Sequence, residues 1–280
     1  MRSIAIMNQK GGVGKTTTAV NTAAALAEAG CRVGVIDLDP QAHATLHFGI
    51  EAGPGVPSIY EVLAQGVPLA HARHEFSENL WVVGSQLDLA GAEVELAGAV
   101  GREQLLRDKI NEDAPAADYL FIDCPPSLGI LTLNALAAVD EVLIPLEPHF
   151  FALHGLSRLL ETIQLVSQRI NRRLTLGGVV FCKYDTSTRL ASEVAQDVEA
   201  FFREARREES PWARTTVFQT RIRRNVRLAE APAYGRPIFE YAPKSAGAED
   251  YRCLAIEVAA QPAADIHLYE PETVLARVSA

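Results

Sequence analysis

The 280-residue sequence contains no apolar run approaching the roughly 20 residues that span a bilayer. Its four cysteines are scattered and form no CxxC pair, which favours reduced, mostly buried thiols. The apolar stretch near the amino terminus is shorter than the apolar region of a signal peptide. There is also no internal repeat and no low-complexity tract. We therefore expect a globular cytoplasmic protein.

Acidic residues outnumber basic ones, and the formal net charge is −9. The imbalance is uneven along the chain. Residues 1–168 have 9 Lys and Arg against 20 Asp and Glu, residues 169–236 have 14 against 8, and residues 237–280 have 3 against 7. The net charge of the whole chain argues against a polyanionic partner. The basic segment 169–236 is nevertheless compatible with one.

Short apolar segments alternate with helical patterns along the chain. Six segments are typical of buried strands: "RSIAIMN", "CRVGVIDLD", "NLWVVGS", "DYLFIDCP", "DEVLIPLE" and "LTLGGVVFCKY". This alternation predicts an α/β fold, with a mostly parallel twisted sheet, helices on both faces and ligands at the carboxyl ends of the strands. We expect one domain over residues 1–262 and an appended tail over residues 263–280.

The stretch "QKGGVGKTT" lies between the first predicted strand and an Ala-rich helix. Its glycines allow successive backbone N–H groups to converge on a phosphate, and Lys15 is placed to neutralise it. The Thr16 hydroxyl is placed to bind Mg²⁺ at the helix start. Gln9 stands where the general phosphate-loop pattern has its first glycine, and Lys10 is a second lysine without a clear task inside one site.

Two acids follow predicted strands, and a basic stretch lies further on. Asp39 belongs to "DLDPQ", and Asp123 closes "YLFID", where an unpaired buried carboxylate would be costly without a ligand. The stretch "TRIRRNVR" has no acid and four arginines, which are Arg221, Arg223, Arg224 and Arg227. In the segment 203–209, by contrast, the positive and negative charges nearly cancel. No helix-turn-helix pattern precedes it, so we expect salt-sensitive DNA binding that is independent of base sequence.

Together, "KGGVGKTT", "DLDPQ", "DCPPSLGILTLNAL", "FFALHGLSRLLETI" and "RNVRLAEAPAYGRPI" resemble the ParA/Soj family of deviant Walker A ATPases, relatives of MinD in the ParA/MinD superfamily. The resemblance runs from Ile4 to about Ala260. It implies a single-domain P-loop NTPase fold and the cofactors ATP and Mg²⁺. It also implies a homodimer formed on ATP binding, non-specific nucleoid DNA as a partner, and a ParB-like centromere-binding protein.

The resemblance also assigns roles to residues. Lys10 matches the signature lysine that reaches the partner's phosphates across an ATP-bound dimer. Asp39 matches the switch aspartate that positions the attacking water and lies near the metal, and Asp123 matches the Walker B acid that holds Mg²⁺ through water. Lys10, Lys15 and Asp39 are then catalytic, Thr16 is a metal ligand and Thr17 lies near the α-phosphate. The implied ATP-binding residues are Lys10, Gly11, Gly12, Val13, Gly14, Lys15, Thr16 and Thr17. No Glu follows Asp123, so slow intrinsic hydrolysis raised by a partner is expected.

The sequence departs from the family pattern at Ala42, His43, His154, Ser187 and Arg223. His43 and His47 lie i,i+4 in a predicted helix, but without a third ligand nearby we expect exposed or capping histidines.

Four alternative functions are less well supported. A metal-cluster carrier of the same fold would need paired cysteines, and Cys124 is alone in its motif. The same switch could position another cargo, such as a chemoreceptor cluster or an enzyme compartment. A MinD-like membrane regulator is disfavoured because the final segment has one Arg against three acids and is interrupted by Pro271. A small-molecule kinase or ligase would leave Lys10 and the arginine stretch without a role.

Overall fold

The computed structural model describes residues 1–51, 55–113, 116–206 and 209–261. The predicted tail over residues 263–280 lies outside the described residues. The boundary between domain and tail therefore stays a prediction.

The described residues form one eight-stranded sheet with the order β3-β4-β2-β5-β1-β6-β7-β8. All neighbouring strands are parallel except β3 and β4, which are antiparallel. The predicted α/β fold with a mostly parallel sheet is confirmed. The strands are β1 (Arg2–Ile6), β2 (Val33–Asp37), β3 (Arg73–Ser77), β4 (Leu80–Val83), β5 (Tyr119–Asp123), β6 (Glu141–Leu146), β7 (Thr175–Tyr184) and β8 (Thr216–Arg223).

Helices cover both faces of the sheet and give two buried apolar layers. Helices α3 to α8 pack on one face, whereas α1, α2, α10 and α11 pack on the other. They are α1 (Lys15–Glu28), α2 (His43–His47), α3 (Ile59–Ala64), α4 (Leu89–Glu95), α5 (Leu105–Asp113), α6 (Ile130–Ala138), α7 (Ala152–Arg169), α8 (Arg189–Ala205), α9 (Val226–Glu230), α10 (Ile238–Tyr241) and α11 (Ala246–Ala260).

The central strands are apolar throughout because both of their faces are covered. Every residue of β1, β2 and β5 is buried, so these strands show no alternation of polar and apolar residues. Gly34 in β2 is required by close packing, since a Cβ there would lie 2.2 Å from the Trp81 ring. The central strands were therefore predictable as short apolar runs.

Two edge strands were not predicted. Strand β3, "RHEFS", is only partly buried and pairs with β4 alone. Strand β8, "TVFQTRIR", ends the opposite edge and contains Arg221 and Arg223 of the arginine stretch. Each of them has only one neighbouring strand and is partly exposed, which allows polar residues that hide the apolar pattern.

The strand register decides where the site lies. Asp123 at the end of β5 is paired with Ile6 of β1 on one side and with Asp37 of β2 on the other. The loops that follow these three strands therefore leave the sheet side by side. Two buried carboxylates and the glycine-rich loop meet at this edge.

Candidate nucleotide site

The glycine-rich loop joins β1 to α1 across the carboxyl end of the sheet. Gly12 and Gly14 have φ values of +72° and +102°, in the left-handed region that favours glycine. Helix α1 begins directly afterwards with Lys15, whose side chain is largely buried. The positive end of the helix dipole and the loop amides thus favour an anion at this position.

Asp123 faces the start of α1. The Thr16 hydroxyl donates a hydrogen bond of 2.7 Å to Asp123 Oδ2, while the buried Oδ1 has no partner among the described residues. Burial raises the pKa of Asp123 well above its ordinary value, and the neighbouring Asp37 carboxylate adds to this effect. A hydroxyl oxygen beside an unsatisfied carboxylate oxygen is a donor set that suits Mg²⁺. Thr16 and Asp123 therefore fit the predicted metal site.

Asp37 anchors the loop that carries Asp39. Its Oδ2 accepts hydrogen bonds from the backbone N–H and the hydroxyl of Thr45, at 2.8 and 2.7 Å, and its Oδ1 accepts one from the Asp39 N–H at 3.1 Å. The Thr45 hydroxyl in turn accepts a hydrogen bond from the Ser85 N–H at 2.8 Å. Burial raises the pKa of Asp37 to about 6. One carboxylate thus holds both ends of the Asp39–Thr45 loop.

The sequence had indicated no role for Asp37. A signal was present, since Asp37 closes an apolar strand just as Asp123 does. Asp39 itself is buried, and its Oδ1 accepts a hydrogen bond of 3.0 Å from the Gln41 N–H.

Lys10 lies apart from Lys15, at the rim of the loop. Its side chain is 48% exposed, and its Nζ forms an ion pair of 2.8 Å with Glu147 Oε2, just after β6. Asn8 supports this position, since its Oδ1 accepts a hydrogen bond from the Lys10 N–H and its Nδ2 donates one to the Pro145 carbonyl. Glu147 is a second residue that our sequence reasoning missed, although it follows an apolar strand as Asp39 does.

The four arginines of the predicted DNA-binding stretch differ in their surroundings. Arg221 is only 22% exposed, because its guanidinium pairs with Glu199 at 2.6 Å and stacks on the Phe181 ring at 4.7 Å. Arg223 forms hydrogen bonds of 2.9 and 2.6 Å with Asp250 Oδ1 of α11. Both therefore hold neighbouring elements together.

The other two arginines reach further into solvent. Arg224 follows β8 and is 70% exposed, with Glu147 Oε1 at 3.7 Å from its guanidinium. Arg227 on α9 is 54% exposed and pairs with Glu230 at 2.8 Å. The stretch lacks acids in sequence, but the fold supplies a carboxylate partner to each of its four arginines.

A cavity of about 900 Å³ joins the loop to the elements around it. One wall is formed by the loop and the start of α1, and the others by α2, the end of β7 and α9. The residues that line it include Lys15, Asp39, His43, His47 and Arg224. This volume lies within the range of small-molecule sites and suits a nucleotide.

Two of the five departures from the family pattern, His43 and Arg223, line this cavity. Ala42 has φ +54°, in the left-handed region, at a position where the family usually has Gly. His154 is exposed on α7, and Ser187 Oγ donates a hydrogen bond of 2.6 Å to Asp185. Arg189, two residues further along the chain, pairs with Glu193 at 2.7 Å on α8.

His47 corrects one expectation. His43 is exposed as predicted, but His47 is buried because α2 packs between α1 and the turn Ala231–Tyr234. Burial lowers the pKa of His47 to about 4, although a hydrogen bond with the Arg236 backbone opposes the shift. Within residues 1–51, 55–113, 116–206 and 209–261, no group of three His, Cys, Asp or Glu side chains could hold a metal ion.

Comparisons with known proteins identify the family. Residues 1–176 match a family described as "AAA domain". The sporulation initiation inhibitor protein Soj of Bacillus subtilis is 45% identical over 258 residues, which are 92% of this chain and 98% of that protein. The chromosome partitioning protein ParA of Myxococcus xanthus is also 45% identical, over 92% of this chain and 87% of that protein. The chain belongs to the ParA/Soj family of P-loop ATPases.

A solved structure supports the fold. A cobyrinic acid a,c-diamide synthase from Mycobacterium smegmatis, with an ATP analogue and magnesium bound, has a TM-score of 0.76 and 36% identity, over 91% of this chain and 93% of its own. The family resemblance and the P-loop NTPase fold inferred from the motifs are thus confirmed. Membership supports ATP hydrolysis and a role in partition. No helix among the described residues is long and apolar enough to cross a membrane.

The buried His47 predicts an acid-sensitive stability. Its pKa is about 4 in the folded chain, against an ordinary value of 6.5, so the unfolded chain binds this proton more readily. The free energy of unfolding should therefore fall as the pH is lowered from about 6.5 to about 4. Urea unfolding at several pH values should show a weaker fall for His47→Asn than for the wild type. The exposed His43→Asn is the control, and an identical pH profile for His47→Asn would contradict the prediction.

The anchoring of the Asp39 loop predicts an effect on hydrolysis. Thr45→Val removes the hydroxyl that links Asp37 to Ser85, so Asp39 should lose its fixed position while the phosphate loop stays intact. We expect unchanged ATP affinity and a fall in ATP turnover on the order of ten- to a hundred-fold. ATP affinity and steady-state phosphate release would measure the two effects. Thr162→Val on α7 is the control, and equal turnover in the two variants would refute the anchoring role.

Proposed function

We propose that the protein is a partition ATPase that dimerises on binding ATP, retains non-specific DNA as a dimer and releases it after slow hydrolysis stimulated by a partner. The observation that carries this proposal is the arrangement around the loop. Lys15 lies buried at the start of α1, whereas Lys10 lies half-exposed at the rim. A rim lysine is well placed to serve the phosphates of a second copy of the chain.

In the proposed hydrolysis, each protomer contributes positioned charges to phosphoryl transfer to water. The loop amides of Gly11, Gly12, Val13 and Gly14 and the Lys15 ammonium hold the phosphates, with Thr17 near the α-phosphate. Asp39 orients the attacking water, and Lys10 of one protomer supports the phosphates held by the other. Magnesium would be held by Thr16 and, through water, by Asp123, with Asp39 nearby, and it would neutralise phosphate charge. Turnover would be slow because the Walker B strand ends in Asp123 without a following Glu.

The proposed DNA contact lies at the end of β8 and on α9. Arg224 and Arg227 are the more exposed members of the arginine stretch, and each keeps further guanidinium N–H groups for phosphates. Arg221 and Arg223 would contribute positive charge while holding β8 against α8 and α11. Such contacts recognise the DNA backbone, so the proposed binding has no base specificity.

The proposed cargo is a chromosome or a plasmid, and the proposed partner is a ParB-like protein that raises the hydrolysis rate. The Myxococcus xanthus relative supports this choice, since it is a chromosome partitioning protein. The nucleoid is the corresponding location. Transport of another intracellular cargo by the same switch remains the alternative, and a pull-down of partners distinguishes it.

A ligase function is the rival of a different class, because one similar solved structure is a cobyrinic acid a,c-diamide synthase. That reading gives no task to the exposed Arg224 and Arg227. ATP-dependent consumption of a carboxylic acid substrate without DNA retention would favour it.

DNA retention as a function of nucleotide tests the proposal. Purified protein should be retained on non-specific duplex DNA with ATP or a non-hydrolysable analogue, and released with ADP. Raising the salt concentration should weaken retention steeply, since phosphate contacts release counterions. Retention without nucleotide, or none with ATP, would refute the proposed switch.

The same assay tests the arginines. The double variant Arg224→Gln and Arg227→Gln should reduce ATP-dependent DNA affinity by about tenfold or more and flatten its salt dependence. Neutral replacements are preferred, and Arg221 and Arg223 are left intact because they hold β8. The control is Arg158→Gln with Arg172→Gln, which makes the same charge change at two other exposed sites. An equal loss in both double variants would show a general charge effect instead.

Lys10 tests the second half of the proposal. Lys10→Gln should leave the ATP affinity of the single protomer within about twofold, because Lys15 and the loop amides remain. It should abolish the ATP-dependent increase in mass seen by sedimentation, and with it the ATP hydrolysis. Lys10→Gln protein that still dimerises with ATP would exclude the proposed contact across the dimer.

A further inference from the structure

The Glu147 carboxylate lies between two basic side chains from distant parts of the chain. Its Oε2 is 2.8 Å from Lys10 Nζ, in the loop after β1. Its Oε1 is 3.7 Å from the Arg224 guanidinium, just after β8. Glu147 itself follows β6, which lies beside β1 in the sheet. One acid thus contacts both the rim lysine and an arginine of the proposed DNA surface.

The backbone around this cluster is fixed. Asn8 ties the Lys10 N–H to the Pro145 carbonyl of β6 through hydrogen bonds of 3.0 and 2.7 Å. Burial by itself would raise the pKa of Glu147, but the hydrogen bond and the charge of Lys10 outweigh it and lower the pKa. The carboxylate is therefore ionised near neutral pH and holds Lys10 on its own protomer.

The proposed function requires Lys10 to reach the phosphates of a second protomer. We propose that Glu147 is a positioning residue that keeps Lys10 within its own subunit and competes with the partner's phosphates for it. This role rests on the proposed function, because it presupposes an ATP-bound dimer. Dimer formation must break the Lys10–Glu147 pair in both subunits, and after hydrolysis Lys10 returns to Glu147.

Arg224 lowers the free-energy cost of separating Lys10 from Glu147. When Lys10 leaves, Glu147 keeps a cation within reach of its Oε1, so the carboxylate is not left without a partner. Arg224 remains largely exposed and has five N–H donors, so it can contact Glu147 and a DNA phosphate at once. Glu147 thus weakens the ATP-bound dimer and leaves Arg224 available to DNA.

The expected effect follows from symmetry. A partly exposed ion pair contributes modestly, and a two-fold dimer breaks two of them. Removing the competing carboxylate should therefore tighten the ATP-bound dimer by about three- to thirty-fold.

The first measurement is the dimer dissociation constant of the full chain by analytical ultracentrifugation, with a non-hydrolysable ATP analogue. Glu147→Gln keeps the size of the side chain and should tighten the dimer. Glu161→Gln removes the same charge from an exposed position on α7 and should leave the constant unchanged. No tightening by Glu147→Gln, or equal tightening by Glu161→Gln, overturns the inference.

The second measurement reads the Lys10–Glu147 pair directly, without nucleotide. An amine-acylating reagent should modify Lys10 about threefold faster in Glu147→Gln than in the wild type, with the exposed Lys244 as internal reference in mass spectrometry. If Lys10 is acylated at the same rate in Glu147→Gln and in the wild type, the inference is overturned. If the wild type forms no ATP-dependent dimer, the proposed function fails, whereas failure of the inference alone leaves a wild-type dimer that Glu147→Gln does not tighten.

Discussion

The parallel register of β1, β2 and β5 is the constraint on which the site depends. Because Asp123 is paired with both Ile6 and Asp37, three loops leave the same edge of the sheet at the same height. The glycine-rich loop, the Asp39 loop and the end of β5 therefore meet as a direct consequence of strand pairing. A shift of one residue between two strands would turn these carboxylates to the opposite face of the sheet and separate them from Thr16.

The same edge concentrates buried carboxyl groups, and the fold supplies hydrogen bonds to them locally. Asp37 receives hydrogen bonds from Thr45 and from the Asp39 backbone, whereas Asp123 receives one from Thr16 and keeps an unsatisfied oxygen. A buried carboxylate that lacks a partner is costly unless a cation binds. The site is thus predisposed to bind a metal ion.

Much of this could be predicted from the sequence. The phosphate loop, Asp39, Asp123 and the six apolar strands are local patterns, and family membership was recognisable from short motifs. The two edge strands were missed because β3 and β8 are partly exposed and polar. Glu147 and the anchoring role of Asp37 were missed because their importance lies in contacts with Lys10 and Thr45, which spacing does not reveal. His47 was expected to be exposed or capping, but packing of α2 against α1 buries it.

The sequence by itself determined the chemistry of the loop, the alternation of strands and helices, and the basic character of the stretch that ends in Arg227. These features depend on residues that are neighbours along the chain. Only the tertiary structure decided which charges meet. It placed Glu147 between Lys10 and Arg224. It also stacked Arg221 on the Phe181 ring and paired Arg223 with Asp250. Electrostatic pairing depends on distance in space, and residues more than 100 positions apart are brought within hydrogen-bond reach only when the sheet has formed.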